Sequence, residues 1–237
     1  VTNLAHAFKN DPATFKRVHS VIWMGGAMDV PGNTSPSAEF NCFADPYAAD
    51  QILAACKQGA FKLIMAPLDI TSPHTVPFDD LIVTKPEDDV AKQDKNGVPG
   101  PLRVFISSFL HRVRGLQASF GAPDAMEMHD PLAIWYAIDN ADLPTGSNGW
   151  ETEQRDFKIE RNGEITRGMC VIDRRGGKDG SGELRTKDES LQGNKVPGQK
   201  DQSEEEGQKP LPYIITKTPG KENLRKLLLA RVFGEEV

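Results

Sequence analysis

Apolar and polar positions alternate between two regimes along this chain. Val21-Ile-Trp-Met24 is a continuous apolar run ended by Gly25-Gly26, which predicts a strand covered on both faces. Asp45-Pro46 then offers an N-cap and a proline at the first helical position. The helix it opens carries Tyr47, Ile52, Leu53 and Cys56 near the 3.6 period, and Gly59 stops it. Phe61 to Ala66 is the next apolar run, closed by Pro67. Strand, helix and strand at this spacing make a βαβ unit. The expected class is therefore α/β, a Rossmann-like and mostly parallel sheet flanked by helices.

The same patterns place the remaining elements. Thr2 is positioned to cap a short helix carrying Leu4, Ala5 and Phe8, and Asp11-Pro12 to start another turn or two. Pro101 to Phe120 reads as an amphipathic helix with Leu102, Phe105, Ile106, Phe109, Leu110, Val113 and Leu116 on one side. His129-Asp130-Pro131 precedes the apolar helix Leu132 to Ile138. Phe157 to Thr166 reads as a hairpin with a type I′ turn at Asn162-Gly163. Tyr213 to Thr216 predicts a strand and Glu222 to Phe233 a closing helix.

The long polar stretch changes the domain picture. Residues 176–210 are dense in Gly, Lys, Glu, Asp, Gln and Ser, with Leu184, Leu191 and Val196 as their apolar residues. Such a segment buries too little surface to offset an ordering cost of about 1–2 kcal/mol per residue. It is expected to be a disordered charged insertion between a core over residues 1–175 and a returning strand and helix over 211–237. The first residues already read as the body of a helix, so the expectation is that an N-terminal portion is missing.

Composition narrows the function classes. A net charge of −6 with no basic stripe disfavours nucleic-acid binding. The longest apolar runs are far too short to cross a bilayer, so no membrane partner is expected. Cys42, Cys56 and Cys170 show no CxxC spacing and read as buried small hydrophobes of a reducing, cytoplasmic setting.

Two constellations can carry chemistry. The loop Met24 to Asn41 leaves the carboxyl end of a predicted parallel strand, where ligands of such sheets bind. It places Asn33, Glu39 and Asn41 together, offering the donors and acceptors that sugar hydroxyls require; the competing reading is a self-capped turn. In His129-Asp130-Pro131 the carboxylate suits a hard cation and the imidazole a proton transfer. The same three residues also read as an ordinary helix start with Asp130 as N-cap. Asp69-Ile-Thr71 ends the second strand and equally suits capping of the Ser72-Pro73 turn.

Val21 to Asn41 (VIWMGGAMDVPGNTSPSAEFN), Ala44 to Ala49, Pro67 to Thr71 and Met128 to Ala133 together resemble the inosine/uridine-preferring nucleoside hydrolases. The opening Thr2-Asn-Leu-Ala5 resembles the end of that family's proline-leucine-threonine-asparagine segment. The resemblance implies the nucleoside hydrolase fold and hydrolysis of the N-glycosidic bond of purine or pyrimidine ribonucleosides. It assigns Asn33 and Glu39 to the ribose 5′-hydroxyl, Asn41 to the ribose diol, Asp130 to a calcium ion and His129 to departure of the base. It also implies a homodimer or homotetramer. The family's Asp-rich calcium motif, a strand ending in Asp-x-Asp-x-Gly-x-Asp-Asp, is absent from these residues. Calcium takes about six to eight oxygens, so Asp130 alone is not a calcium site. The expectation is an enzyme by family whose isolated chain is inactive. The alternative is a non-catalytic ribonucleoside-binding or regulatory protein.

Overall fold

A computed structural model of the protein describes residues 1–83, 100–141, 147–174 and 210–235. Apart from Pro210, the insertion read at 176–210 lies outside the described residues, as does all but the last residue of the polar stretch 84–100. The chain divides into two compact units, one of Val1–Leu68 with Thr152–Ile215 and one of Asp69–Glu151 with Thr216–Val237.

The first unit opens with α1 (Thr2–Asn10) and α2 (Pro12–Phe15), the latter capped by Asp11, whose carboxylate accepts the Thr14 N–H at 2.9 Å. Thr2 does not cap α1. Its hydroxyl donates to Asp45 Oδ2 at 2.7 Å, because Asp45 is already fixed as the N-cap of a later helix and lies within reach. Then follow β1 (Ser20–Met24), a short α3 (Phe40–Ala44), α4 (Pro46–Lys57) and β2 (Lys62–Ala66). Strands β1 and β2 are parallel and in register from Ser20↔Lys62 to Met24↔Ala66, the crossover expected of a βαβ unit.

The second unit begins with α5 (Leu68–Thr71), β3 (Thr75–Pro77) and α6 (Phe78–Leu81). It continues with α7 (Pro101–Ser119), β4 (Ala125–Glu127), which pairs antiparallel with β3, and α8 (His129–Asp139). After β5 (Glu151–Gln154) the first unit resumes with β6 (Lys158–Ile159) and β7 (Cys170–Val171). Strand β8 (Tyr213–Lys217) pairs parallel with β2 and completes the sheet order β1-β2-β8-β5. Helix α9 (Lys221–Leu228) ends in a π-helical turn, Leu229–Phe233.

Trp23, Leu63, Met65, Ile52, Leu53, Phe157 and Ile214 belong to the core of the first unit with Phe15 and Phe61, and Phe8 packs edge-on against those two rings. In the second unit Trp135 and Tyr136 close on Trp150 with ring centroids 4.7 and 5.1 Å apart. Among the described residues no helix is long and apolar enough to cross a membrane.

Three further expectations are corrected. The face that α7 buries is Arg103, Ser107 and Leu110, while Leu102, Phe105, Phe109 and Leu116 are exposed. Arg103 takes the buried place because its guanidinium donates to the Asp80 carbonyl at 2.6 Å, pairs with Glu235 and lies over the Phe233 ring. Neither Asn162 nor Gly163 has a positive φ, so there is no type I′ turn. Their N–H groups instead donate to Glu160 Oε1, and β6 and β7 are joined by a longer loop. Helix α8 begins at His129 with Met128 as N-cap, so Asp130 lies inside the first turn and is not the cap.

Candidate active site

Two clusters hold the residues singled out in the sequence, one in each unit. Asn33, Glu39 and Asn41 share the first unit; His129 and Asp130 belong to the second.

In the first, β1 ends at Met24 and the chain turns at Gly26, whose φ of +86° is open to glycine and disfavours a side chain. A Cβ there would also press on the Cys170 sulfur and the Met65 methyl at 3.1 and 3.2 Å. The following residues are tied down by Asp29, whose carboxylate accepts from Arg155 at 2.6 Å and Arg174 at 2.5 Å. The Arg155 hydrogen bond holds that carboxyl below its usual pKa despite partial burial. The loop then folds on itself. Gly32 N–H donates to Pro36 O, Thr34 and Ser35 N–H both donate to Ala38 O, and the Ala38 N–H returns to Ser35 Oγ at 3.1 Å.

Glu39 closes the loop. It is 1% exposed, and its carboxylate accepts three backbone N–H groups: Gly26 at 2.9 Å and Cys42 at 3.2 Å on Oε2, and Asn41 at 2.7 Å on Oε1. It is thus the N-cap of α3, a helix that the sequence reading did not include, and the tie between that helix and the Gly25-Gly26 turn. Asn41 Nδ2 donates to Met24 O at 3.1 Å, and Asn33 Oδ1 accepts the Phe40 N–H at 3.0 Å. Among the described residues, Asn33 Nδ2 and Asn41 Oδ1 make no hydrogen bond, which leaves one amide donor and one amide acceptor on the loop. The Cys42 thiol lies beneath it, buried and hydrogen-bonded with Cys170. That contact first, and burial second, push its pKa well above the ordinary thiol value. All three cysteines are buried and free, in keeping with small hydrophobes.

In the second cluster His129 opens α8 with its ring held at both nitrogens. Nδ1 lies 2.8 Å from Thr71 Oγ1, and Nε2 lies 2.9 Å from Glu127 Oε2. Thr71 is fully buried at the end of α5. Neither partner was singled out for this contact in the sequence; the signal available was the position of Thr71 just beyond a parallel strand. Asp130 is exposed in the first turn of the helix, where a carboxylate favours the positive end of the dipole. Among the described residues, no group of three or more His, Cys, Asp and Glu side chains could hold a metal ion. The donor set around Asp130 therefore does not fit a calcium ion.

The sequence model of a family described as inosine-uridine preferring nucleoside hydrolase matches residues 1–197. An inosine-uridine preferring nucleoside hydrolase of Leishmania major is 32% identical over 174 residues, covering 73% of this chain and 48% of its own. A pyrimidine-specific ribonucleoside hydrolase RihA of Shewanella woodyi is 30% identical over 177 residues, covering 74% of this chain and 49% of its own. The chain thus spans about half the length of the curated relatives it matches. Among solved structures, a plant nucleoside hydrolase superposes with a TM-score of 0.65 at 23% identity, over 98% of this chain and 59% of that one. An inosine-guanosine nucleoside hydrolase gives 0.67 at 18% identity, over the whole of this chain and 61% of that one. Both likenesses bear on the fold.

Proposed function

The chain belongs to the inosine-uridine preferring nucleoside hydrolase family, and from that premise we propose that it contributes the ribose-holding part of a ribonucleoside hydrolase. The observation that carries this reading is the Glu39 carboxylate gathering the Gly26, Asn41 and Cys42 N–H groups. It fixes the strand-end loop so that Asn33 and Asn41 face a ligand as donor and acceptor, the pairing that ribose hydroxyls need. In this reading Glu39 acts on the sugar chiefly through the amides it orders. The reaction is hydrolysis of the C1′–N bond of a purine or pyrimidine ribonucleoside to free base and ribose. Its transition state has oxocarbenium character, as in other glycoside hydrolyses, and oriented dipoles stabilise the charge that develops. His129 serves the departing base.

A metal in such a site would position the attacking water. Among the described residues Asp130 is the candidate ligand for such an ion, and no group of three His, Cys, Asp or Glu donors accompanies it. The alternative reading is a ribonucleoside-binding or regulatory protein without turnover. In either case the ligand is a nucleoside, and assembly into a homodimer or homotetramer in the cytoplasm accompanies the proposal. The test is titration of the full chain with uridine and with inosine, following heat of binding and, by chromatography, free base. Base release above the buffer control supports the hydrolase. Saturable binding without release supports the second reading. Absence of both overturns the ribose assignment.

A further inference from the structure

We infer that Glu127 and Thr71 are positioning residues that fix the tautomer and orientation of His129, an inference resting on the hydrolase reading for its purpose but not for its geometry. The three side chains come from three elements of one unit. Thr71 closes α5, Glu127 closes β4, and His129 opens α8. The backbone between them is fixed: Thr75 pairs with Glu127, and the Met128 N–H donates to His74 O at 2.8 Å. Met128 is itself buried, so Glu127 and His129 flank an anchored residue and reach the same side of it.

An ionised carboxylate has no proton to give, so the Glu127 contact at 2.9 Å places a proton on Nε2. The neutral ring is then the Nε2–H tautomer, and its Nδ1 lone pair accepts the Thr71 hydroxyl proton across 2.8 Å. A partly exposed His–Glu pair alone is worth about 0–1 kcal/mol and would carry no argument. The Thr71 end is different. Its hydroxyl is fully buried, and a buried hydroxyl needs a partner; among the described residues that partner is His129. One end of the ring is therefore anchored in the core, and the other is held by a side chain that is 46% exposed and free to swing away. Release of Glu127 leaves an aligned Nε2–H donor, which suits a nucleobase ring nitrogen or carbonyl oxygen as acceptor. Thr71 keeps the ring from turning as that happens.

The test reads the imidazole directly. Long-range proton–nitrogen correlation spectra of the uniformly nitrogen-15-labelled full chain are recorded at about pH 8.5, where an ordinary histidine is neutral. The His129 signals are assigned by their loss in His129→Gln. The wild type is expected to show the Nε2–H pattern. Glu127→Ala is expected to give a mixture of the two tautomers, and Thr71→Val to do the same, whereas Thr71→Ser keeps the wild-type pattern. An unchanged pattern in Glu127→Ala, at an exposed position where folding is not at risk, overturns the inference. These spectra decide it even if the chain hydrolyses no nucleoside. Where base release is measurable, Glu127→Ala lowers kcat about tenfold with KM unchanged, a part of the about 10²–10⁴-fold that a positioned proton-transfer group contributes. An equal rise in KM with kcat retained would assign Glu127 to ground-state binding and overturn the positioning role.

Discussion

Replacing Glu39 by Gln tests whether a buried cap, more than a direct ligand contact, makes the loop after β1. The carboxylate accepts two N–H groups on Oε2, from Gly26 and Cys42, and one on Oε1, from Asn41. Glutamine has one acceptor oxygen. Its better orientation keeps the pair from Gly26 and Cys42 and turns an NH2 group against the Asn41 N–H, which lies 2.7 Å from the oxygen it replaces. One hydrogen bond to a charged group is lost and a buried donor is left facing a donor. Bonds of this kind are worth about 1.5–3 kcal/mol, so Glu39→Gln is expected to cost about 2 kcal/mol. For a chain of this size that corresponds to a fall of about 4–8 °C in Tm. Urea unfolding followed by circular dichroism gives the global value. Amide hydrogen exchange at Gly26, Asn41 and Cys42 gives the local one, with Asn41 losing the most protection. A Glu39→Gln protein within about 0.5 kcal/mol of wild type, the range of an inert surface change, and with those amides still protected, would refute the reasoning.

Two further perturbations probe the same architecture. A Cβ at Gly32 would lie 2.2 Å from Ala38 O and 2.3 Å from Ala38 N, both backbone, so Gly32→Ala must open the loop. Nucleoside binding should be lost in calorimetry while the near-ultraviolet signal of the Trp135–Trp150 pair is kept; retained binding would contradict the loop's role. His74 is buried with Nδ1 2.7 Å from Ile70 O and Nε2 2.7 Å from Thr218 Oγ1, and burial lowers its pKa from 6.5, overcoming the Ile70 contact. The unfolded chain then binds the proton more readily, so stability falls as pH drops from 6.5 to the lowered folded value and is level below it. Urea midpoints across that window should slope for the wild type and flatten for His74→Asn.

What was legible in the sequence is what local chemistry decides. The apolar runs at Val21–Met24 and Phe61–Ala66 become β1 and β2, and the Asp11-Pro12 and Asp45-Pro46 signals become true caps, because each depends on neighbours within one turn. Helix α7 shows where this ends. Its stripe of Leu102, Phe105, Phe109 and Leu116 has the periodicity of a core face, yet the buried face carries Arg103. That choice is made by Asp80, Phe233 and Glu235, whose carbonyl, ring and carboxylate satisfy a guanidinium that burial would otherwise penalise. Periodicity sees none of them. Asn162-Gly163 misleads in a similar way, since Glu160 three residues before Gly163 captures both N–H groups and holds the backbone at negative φ.

The candidate site divides along the same line. Residue types at Asn33, Glu39 and Asn41 mark a polar loop at a strand end, but they do not distinguish a carboxylate that touches a sugar from one that caps a helix. Glu is outside the usual N-cap set of Ser, Thr, Asp and Asn, so nothing in Ala38-Glu-Phe-Asn41 announces α3. Once Glu39 is placed, the two readings cease to compete. The carboxylate accepts from Gly26, Asn41 and Cys42 and so orders the loop that carries Asn33 and Asn41, whose amides are the ribose contacts in the proposed reading. The His129 cluster repeats the pattern. Thr71 is marked in sequence only by its strand-end position and Glu127 by nothing; they are separated by β3, α6 and α7, and become partners of one imidazole through the β3–β4 pairing. In both clusters the candidate ligand groups proposed here were named from sequence, whereas the groups that hold them, Glu39 on its amides and Thr71 and Glu127 on His129, are supplied by the fold.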